Sequence, residues 1–180
     1  QRYDLIIVFS QSLHDLMYDY ITTNTNSKFI AFDKFDAGVI NDIMLINKKL
    51  KNALQTLILF DDMIGMNIKD VNEIIQLFVR GRNSGISTFF SSQSVTFLNR
   101  TARSNANYVF ILKNNNPSMR ETIINNLLYN VVPVPNAITN KVKKVEYYDK
   151  MLSELNADYG VIVLDFLQDP VKMYHYKVPM

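Results

Sequence analysis

Apolar residues in this chain gather into short uninterrupted runs separated by longer mixed segments. Two of these runs, DLIIVF from Asp4 to Phe9 and Leu57 to Phe60 within TLILFDDM, carry no polar residue after their first positions. A run with no wet face predicts a strand covered on both sides, as in a parallel sheet with helices over each face. Ile86 to Phe90 and YVFIL from Tyr108 to Leu112 repeat the pattern, and Lys28 to Phe32 gives a shorter extended segment. The mixed segments between them carry helical spacing instead. Leu13, Leu16, Met17 and Tyr20 fall on one stripe behind Ser12, a residue suited to cap a helix, with His14 off the stripe and solvated. A helix is expected from about Asp36 to Leu50, with Val39, Ile43, Ile46 and Leu50 as its buried face. Lys48, Lys49 and Lys51 then form a solvated end that opposes the helix dipole. Past a short loop containing Gly65, another helix from about Lys69 to Arg80 buries Val71, Ile74, Ile75 and Phe78.

The second half continues the alternation. Thr101 to Asn107 reads as a polar connector bearing Arg103, just after Arg100. Pro117 opens a helix where its missing N–H is harmless, with Ile123, Ile124, Leu127 and Leu128 facing the core. A charged helix follows from about Thr139 to Asn156, and YGVIVLDF from Tyr159 to Phe166 pairs with Val171 to Tyr176 across LQDP as a hairpin. Strands alternating with helices define an α/β chain.

Composition narrows the class. The chain has 180 residues, 48% of them hydrophobic and 20% charged, which is enough for one domain with a real core, and no linker-like stretch argues for a second. No apolar run approaches the about 20 residues that cross a bilayer, so no membrane span is expected. Zero cysteines exclude disulfides, thiolate nucleophiles and thiolate metal sites. The net charge of +2 is too small to announce nucleic-acid binding, which must rest on local basic clusters.

Candidate chemistry sits at strand ends. Asp61 and Asp62 follow the buried run 57–60 at its carboxyl end, where open α/β sheets gather ligands. Adjacent carboxylates repel unless a cation or a shared proton compensates them, which points to a metal and a water. The plain alternative is an exposed acidic turn in which Asp62 caps the next helix. Gln93 stands just past the strand 86–90, where its amide can meet a phosphate oxygen, a water or the loop backbone.

LILFDD, then a helix, then RGRNSGISTFFSSQS, then TARSNANYVFILK resembles the FtsK/HerA-type genome-packaging ATPases of large DNA viruses, the group that includes the poxvirus packaging ATPase. The likeness runs from about Tyr3 to Asp165. It implies a P-loop NTPase fold of the RecA, additional-strand kind, a mostly parallel sheet with helices on both faces, here as a single ATPase-core domain over 1–180. It also implies ATP and Mg²⁺ as cofactors and a homo-oligomeric ring, pentamer or hexamer, that drives double-stranded DNA into a capsid at its portal vertex. The setting would be the virion or the host-cell cytoplasm at the viral factory. By the same resemblance Asp61 holds Mg²⁺ through its waters, Asp62 polarises the attacking water and Gln93 is the polar sensor. Arg103 is offered to a neighbouring subunit's γ-phosphate, with Arg82 as the competing nucleotide-contacting arginine. DNA contact would fall to Arg80 with Arg82, or to Lys141, Lys143 and Lys144. Asn83 stands where many relatives carry histidine.

One element of the family is missing. No GxxxxGK[ST] occurs, and with only five glycines there is no Gly-rich phosphate cradle. The resemblance places that loop and its strand ahead of the strand at Asp4 to Phe9 in the chain, so a truncation before the second core strand is expected, and the 180 residues alone should be inactive. In the sheet the missing strand belongs between those at 85–91 and 108–112. These strands should then close up directly or receive a strand from another chain. Two rivals explain the acids or the absence differently: a DNA-binding or scaffolding module that lost nucleotide chemistry, and a two-metal nuclease using Asp61 and Asp62 with Asp33 or Asp165.

Overall fold

In the computed structural model, residues 3–13, 16–63, 66–129, 131–136, 138, 140–155 and 160–177 are described. His14, Gly65 and the expected boundaries at Thr139, Asn156 and Tyr159 lie outside them. By internal contacts the chain forms two compact units, Gln1–Gln93 with Phe97–Asn105, and Ser94–Thr96 with Ala106–Met180.

The first unit is built on β1 (Leu5–Ser10), β2 (Lys28–Phe32), β3 (Thr56–Asp61) and β4 (Ile86–Phe90), all parallel, in the order β2-β1-β3-β4. The crossovers are α1 (Leu16–Asn24), α2 (Ala37–Lys49) and α3 (Ile68–Arg80). Because crossovers are right-handed, the step from β1 to β2 and the reverse steps to β3 and β4 place their helices on opposite faces. The cores follow that division. Ile7, Phe9, Ile58 and Phe60 meet Ile40, Ile43, Ile74 and Leu77 of α2 and α3 on one face. Ile6 and Val8 meet Tyr18 of α1 on the other, with Leu57 and Leu59 packed alongside. The continuous apolar runs are therefore sandwiched, as their lack of a polar face requires.

Helix α2 corrects the expected face. Ile40, Ile43 and Asn47 are buried, whereas Ile46 and Leu50 are 44% and 51% exposed. The rotation has a polar cause. Fully buried Asn47 donates through Nδ2 to the carbonyls of Leu54, at 2.7 Å, and Ser84, and its Oδ1 accepts from the Leu54 N–H at 3.1 Å. It thus ties the end of α2 to the entries of β3 and β4. Gly85, at φ 65°, passes so close that a Cβ would stand 2.8 Å from the Leu54 carbonyl and 3.0 Å from Asn47 Nδ2. Asn47→Ala strands these buried backbone groups and should cost at least about 1–3 kcal/mol, read as a lower urea midpoint with an unchanged slope.

A second correction concerns α1, where Tyr20, expected on the buried stripe, is 69% exposed and Tyr18 is buried at 4% exposure, while Leu13 packs on the same core as expected. A third concerns the connector after Gln93, which is helical over Arg100–Ser104 (α4), capped by Asn99 Oδ1 accepting from the Ala102 N–H at 2.9 Å.

The second unit is an antiparallel sheet β5-β6-β7 of Tyr108–Leu112, Gly160–Asp165 and Lys172–Lys177, the last two forming the expected hairpin. One face is covered by α5 (Pro117–Ile123), which continues as a π-helical turn over Ile124–Leu128, and by α6 (Lys141–Leu155). Ile123, Ile124, Leu127 and Leu128 are all buried, as their spacing predicts. In the described ladders β4 pairs with β3, and β5 with β6.

Tyr148 on α6 is buried and donates to the Val132 carbonyl at 2.5 Å. Burial first, then the neighbouring Tyr147 and Tyr129, raises its phenol above the ordinary value of 10.0. The neutral phenol is the form that folding favours. Its contribution is complete below the unfolded pKa and is lost as pH rises through the higher folded one. Alkaline titration past about pH 10 should therefore lower the thermal midpoint of the wild type more than that of Tyr148→Phe.

Candidate functional site

Strand order reverses between β1 and β3: β1 leads through α1 to one side, and β3 leads through α3 to the other. A parallel sheet opens a crevice at the carboxyl ends of such a strand pair, because the loops leaving them turn away from each other. Ser10 and Asp61 are register partners at that point. Asp61 is half-buried there, and Tyr18, reaching over from α1, donates its hydroxyl to Asp61 Oδ2 at 2.7 Å. The phenol fixes the carboxylate's orientation without neutralising its charge.

Asp62, also half-buried, has a left-handed backbone at φ 49°. Asp tolerates that region better than most residues, yet it remains sparsely populated and is found preferentially where a side chain must be aimed. The next strand supplies its partner. Ser91 donates its N–H to the Phe60 carbonyl at 2.8 Å, so the segment leaving β4 runs beside the end of β3. Two residues later Gln93 Nε2 reaches Asp62 Oδ1 at 3.3 Å. The helix-capping alternative for Asp62 does not apply, since α3 begins at Ile68 and is capped by Asn67, whose Oδ1 accepts from the Asp70 N–H at 3.0 Å.

The remaining candidates lie elsewhere. Arg80 ends α3 and Arg82 sits in the 3-10 turn Gly81–Ser84 that precedes β4, both exposed. Both stand at the amino edge of the sheet. Asp61 closes the six-residue β3 at its other end, roughly 17 Å away by strand rise. Arg82 thus does not reach the carboxylates of its own chain. Arg103 is half-buried on α4 and donates through Nη1 to the Leu98 carbonyl. In the second unit Lys141 and Lys143 are exposed on α6, and the Lys144 ammonium lies 5.6 Å from the Tyr129 ring centroid.

Among the described residues no group of three or more His, Asp or Glu side chains is placed to hold a metal ion. Asp33 does not join Asp61 and Asp62 in such a group, and Asp165, in the second unit, accepts at Oδ1 from the Leu167 N–H at 3.0 Å. Hard oxygen donors from one or two carboxylates suit a different ion. Mg²⁺ keeps several waters and completes its shell with phosphate oxygens, so Asp61 and Asp62 fit a Mg²⁺–phosphate ligand better than a self-sufficient metal cage. Tyr18 is the site residue that sequence reasoning missed. No motif marks it, and only the fold brings it to Asp61.

No helix among the described residues is long and apolar enough to cross a membrane. No protein-family model matches the chain, and no curated protein sequence does. Solved structures do. The DNA-packaging ATPase B204 from Sulfolobus Turreted Icosahedral Virus superposes with a TM-score of 0.61 at 13% identity, covering 98% of this chain and 84% of that one. The genome packaging NTPase B204 from Sulfolobus turreted icosahedral virus 2 in complex with sulfate gives 0.62 at 11% identity, over 98% and 83% of the two chains. The same NTPase in complex with ATP-gammaS gives 0.57 at 12% identity, over 98% and 84%. At these identities the likeness defines the fold: an α/β chain whose four-stranded parallel sheet, flanked by helices, matches that of the packaging NTPase B204.

Proposed function

We propose that these residues are the core of an ATP-driven translocase that moves double-stranded DNA into a viral capsid, with 1–180 acting as one ATPase core within an oligomeric ring. The observation that carries the reading is the convergence of Asp61, Asp62 and Gln93, from two strands and the loops beyond them, on one crevice at the carboxyl edge of the sheet. Asp61, oriented by Tyr18, would hold a Mg²⁺ ion, which when bound would supply charge neutralisation at the phosphoryl group. Asp62 accepts a proton from the attacking water, and the Gln93 amide aligns that water and reports on the phosphate. Arg103 is the arginine offered across a subunit boundary. Such a residue contributes roughly 10³–10⁵ in rate, so hydrolysis and assembly are coupled. The phosphate cradle would come from a Gly-rich segment outside these residues.

The test is direct. The 180 residues by themselves should show no ATP turnover, and a longer chain that adds a GxxxxGK[ST] segment should hydrolyse ATP with Mg²⁺ and respond to duplex DNA. Turnover by the 180 residues alone that is lost in Asp62→Asn would overturn the separate-cradle reading. A longer chain that binds DNA and never hydrolyses ATP would favour the scaffolding alternative.

A further inference from the structure

Helices α2 and α3 both run back toward the amino edge of the first unit's sheet, and both end in cations. Lys48 and Lys49 close α2, Lys51 follows at once, Arg80 closes α3 and Arg82 lies in the 3-10 turn after it. All are exposed. The two helix ends are clamped together: Asn52 Nδ2 donates to the Asn83 carbonyl at 2.8 Å, and buried Asn47 reaches the Ser84 carbonyl. These cations therefore form one ridge rather than two separate helix ends. Beside Lys48 lies an open hollow of about 420 Å³, lined by Met44, Leu45, Lys48, Asn52, Asn83 and Ser84.

Three features separate this ridge from ordinary solvated helix ends. None of its cations is within ion-pair distance of a carboxylate among the described residues, where the pairs are Arg120–Asp149 and Lys150–Glu154. The nearest carboxylates on the same helices, Asp42 and Glu73, stand seven residues back from Lys49 and Arg80, roughly 10 Å along the axis. That exceeds the screening length of about 8 Å at physiological salt. The turn is also held in an uncommon backbone. Lys51 and Asn52 have φ 53° and 60°, where glycine is the cheaper residue, so the chain keeps a lysine at a position that disfavours it.

We infer that this amino-edge ridge, Lys48, Lys49, Lys51, Arg80 and Arg82, is a contact surface for the phosphate backbone of duplex DNA, on the edge of the sheet opposite the carboxylates. The inference rests on the DNA-motor reading for its partner and assigns that partner a place. Charge favours it: clustered Lys and Arg that form no ion pair among the described residues, with side-chain amides of Asn52 and Asn83 beside them, match a line of phosphates and read no sequence, and the carboxylate at the same edge, Asp4, accepts from the Gln55 N–H at 2.9 Å. Reaction and DNA contact then occupy opposite edges of one sheet, so hydrolysis at one edge can act on DNA at the other through rigid strands.

The test is binding of a labelled 30-base-pair duplex by the 180-residue chain, followed by anisotropy from about 50 to 200 mM salt, the range over which phosphate contacts lose most of their affinity. Lys48→Ala/Lys49→Ala/Lys51→Ala should weaken binding by about tenfold or more and reduce the salt slope by about one per contact removed. Arg80→Ala/Arg82→Ala should do the same. Lys141→Ala/Lys143→Ala/Lys144→Ala should have the smaller effect, and the reverse ranking would overturn the assignment. So would a chain that ignores duplex DNA and binds polyglutamate through the ridge, the result expected of an acidic protein partner. Asp62→Asn should leave duplex binding intact. Hydrolysis is read separately, in the longer chain that adds a GxxxxGK[ST] segment: no turnover there with ridge-dependent duplex binding intact counts against the motor reading, whereas turnover with duplex binding indifferent to the ridge substitutions counts against the ridge.

Discussion

Asp62→Asn should lower ATP turnover by about 10²–10⁴-fold in a chain that joins these residues to a phosphate-binding loop, while nucleotide affinity stays nearly unchanged. The substitution is close to isosteric. Asn keeps an oxygen that can accept from Gln93 Nε2, now at 3.3 Å from Asp62 Oδ1, and Asn is as tolerant as Asp of the left-handed backbone at φ 49°. What is removed is the capacity to take a proton and a unit of charge beside the attacking water. Turnover and affinity therefore separate the roles. If the Michaelis constant rises while turnover is unchanged, Asp62 binds the nucleotide rather than activating water, and its assigned role is wrong. Gln93→Ala should lie between wild type and Asp62→Asn, because it frees the carboxylate without discharging it.

Phe60→Ala should destabilise the first unit by about 3–5 kcal/mol, comparable to the whole stability of many small domains. Phe60 is fully buried in the strand that carries the acids. Its ring stacks on Phe9 with centroids 5.3 Å apart and planes 9° from parallel, and it meets Phe35 and Phe90 at 6.0 and 5.9 Å. Phe9 in turn stacks on Phe32 at 5.3 Å, so one aromatic row crosses β2, β1, β3 and β4 just beneath the crevice. Removing its middle member opens a cavity that stiff strands cannot collapse. Urea unfolding followed by circular dichroism measures the loss. A shift below about 1 kcal/mol would mean that the row relaxes around the gap, against the near-crystalline packing expected of interiors.

The sequence made the strands legible because a short run with no polar face has few other places to go. Ile86–Phe90 and Tyr108–Leu112 match their expected bounds, but Tyr108, Phe110 and Leu112 are 48%, 52% and 64% exposed, so the run at β5 is covered on one face and not on both as its pattern predicts. Faces of helices were less legible. On α2 an apolar stripe through Ile46 and Leu50 looked better than one through Asn47, until three hydrogen bonds to backbone made Asn47 the residue to bury. On α1, Tyr18 outcompeted Tyr20 for the interior because its hydroxyl has Asp61 as a partner. The helix at Arg100–Ser104 was hidden by its polarity, and only the Asn99 cap marked it.

Local pattern by itself determined that this is an α/β chain, that Asp61 and Asp62 stand at the lip of a buried strand, and that Gln93 stands at the exit of the next. Those facts need only periodicity within a few residues. Tertiary structure alone decided the order β2-β1-β3-β4, and with it the crevice that joins Ser10, Tyr18 and Asp61, the reach of Gln93 to Asp62, and the removal of Arg82 to the far edge beside Lys48, Lys49 and Lys51. The reason is physical: hydrophobic period is a property of neighbours along the chain, whereas strand order follows from the handedness of crossovers and from which long-range pairings bury both faces at once.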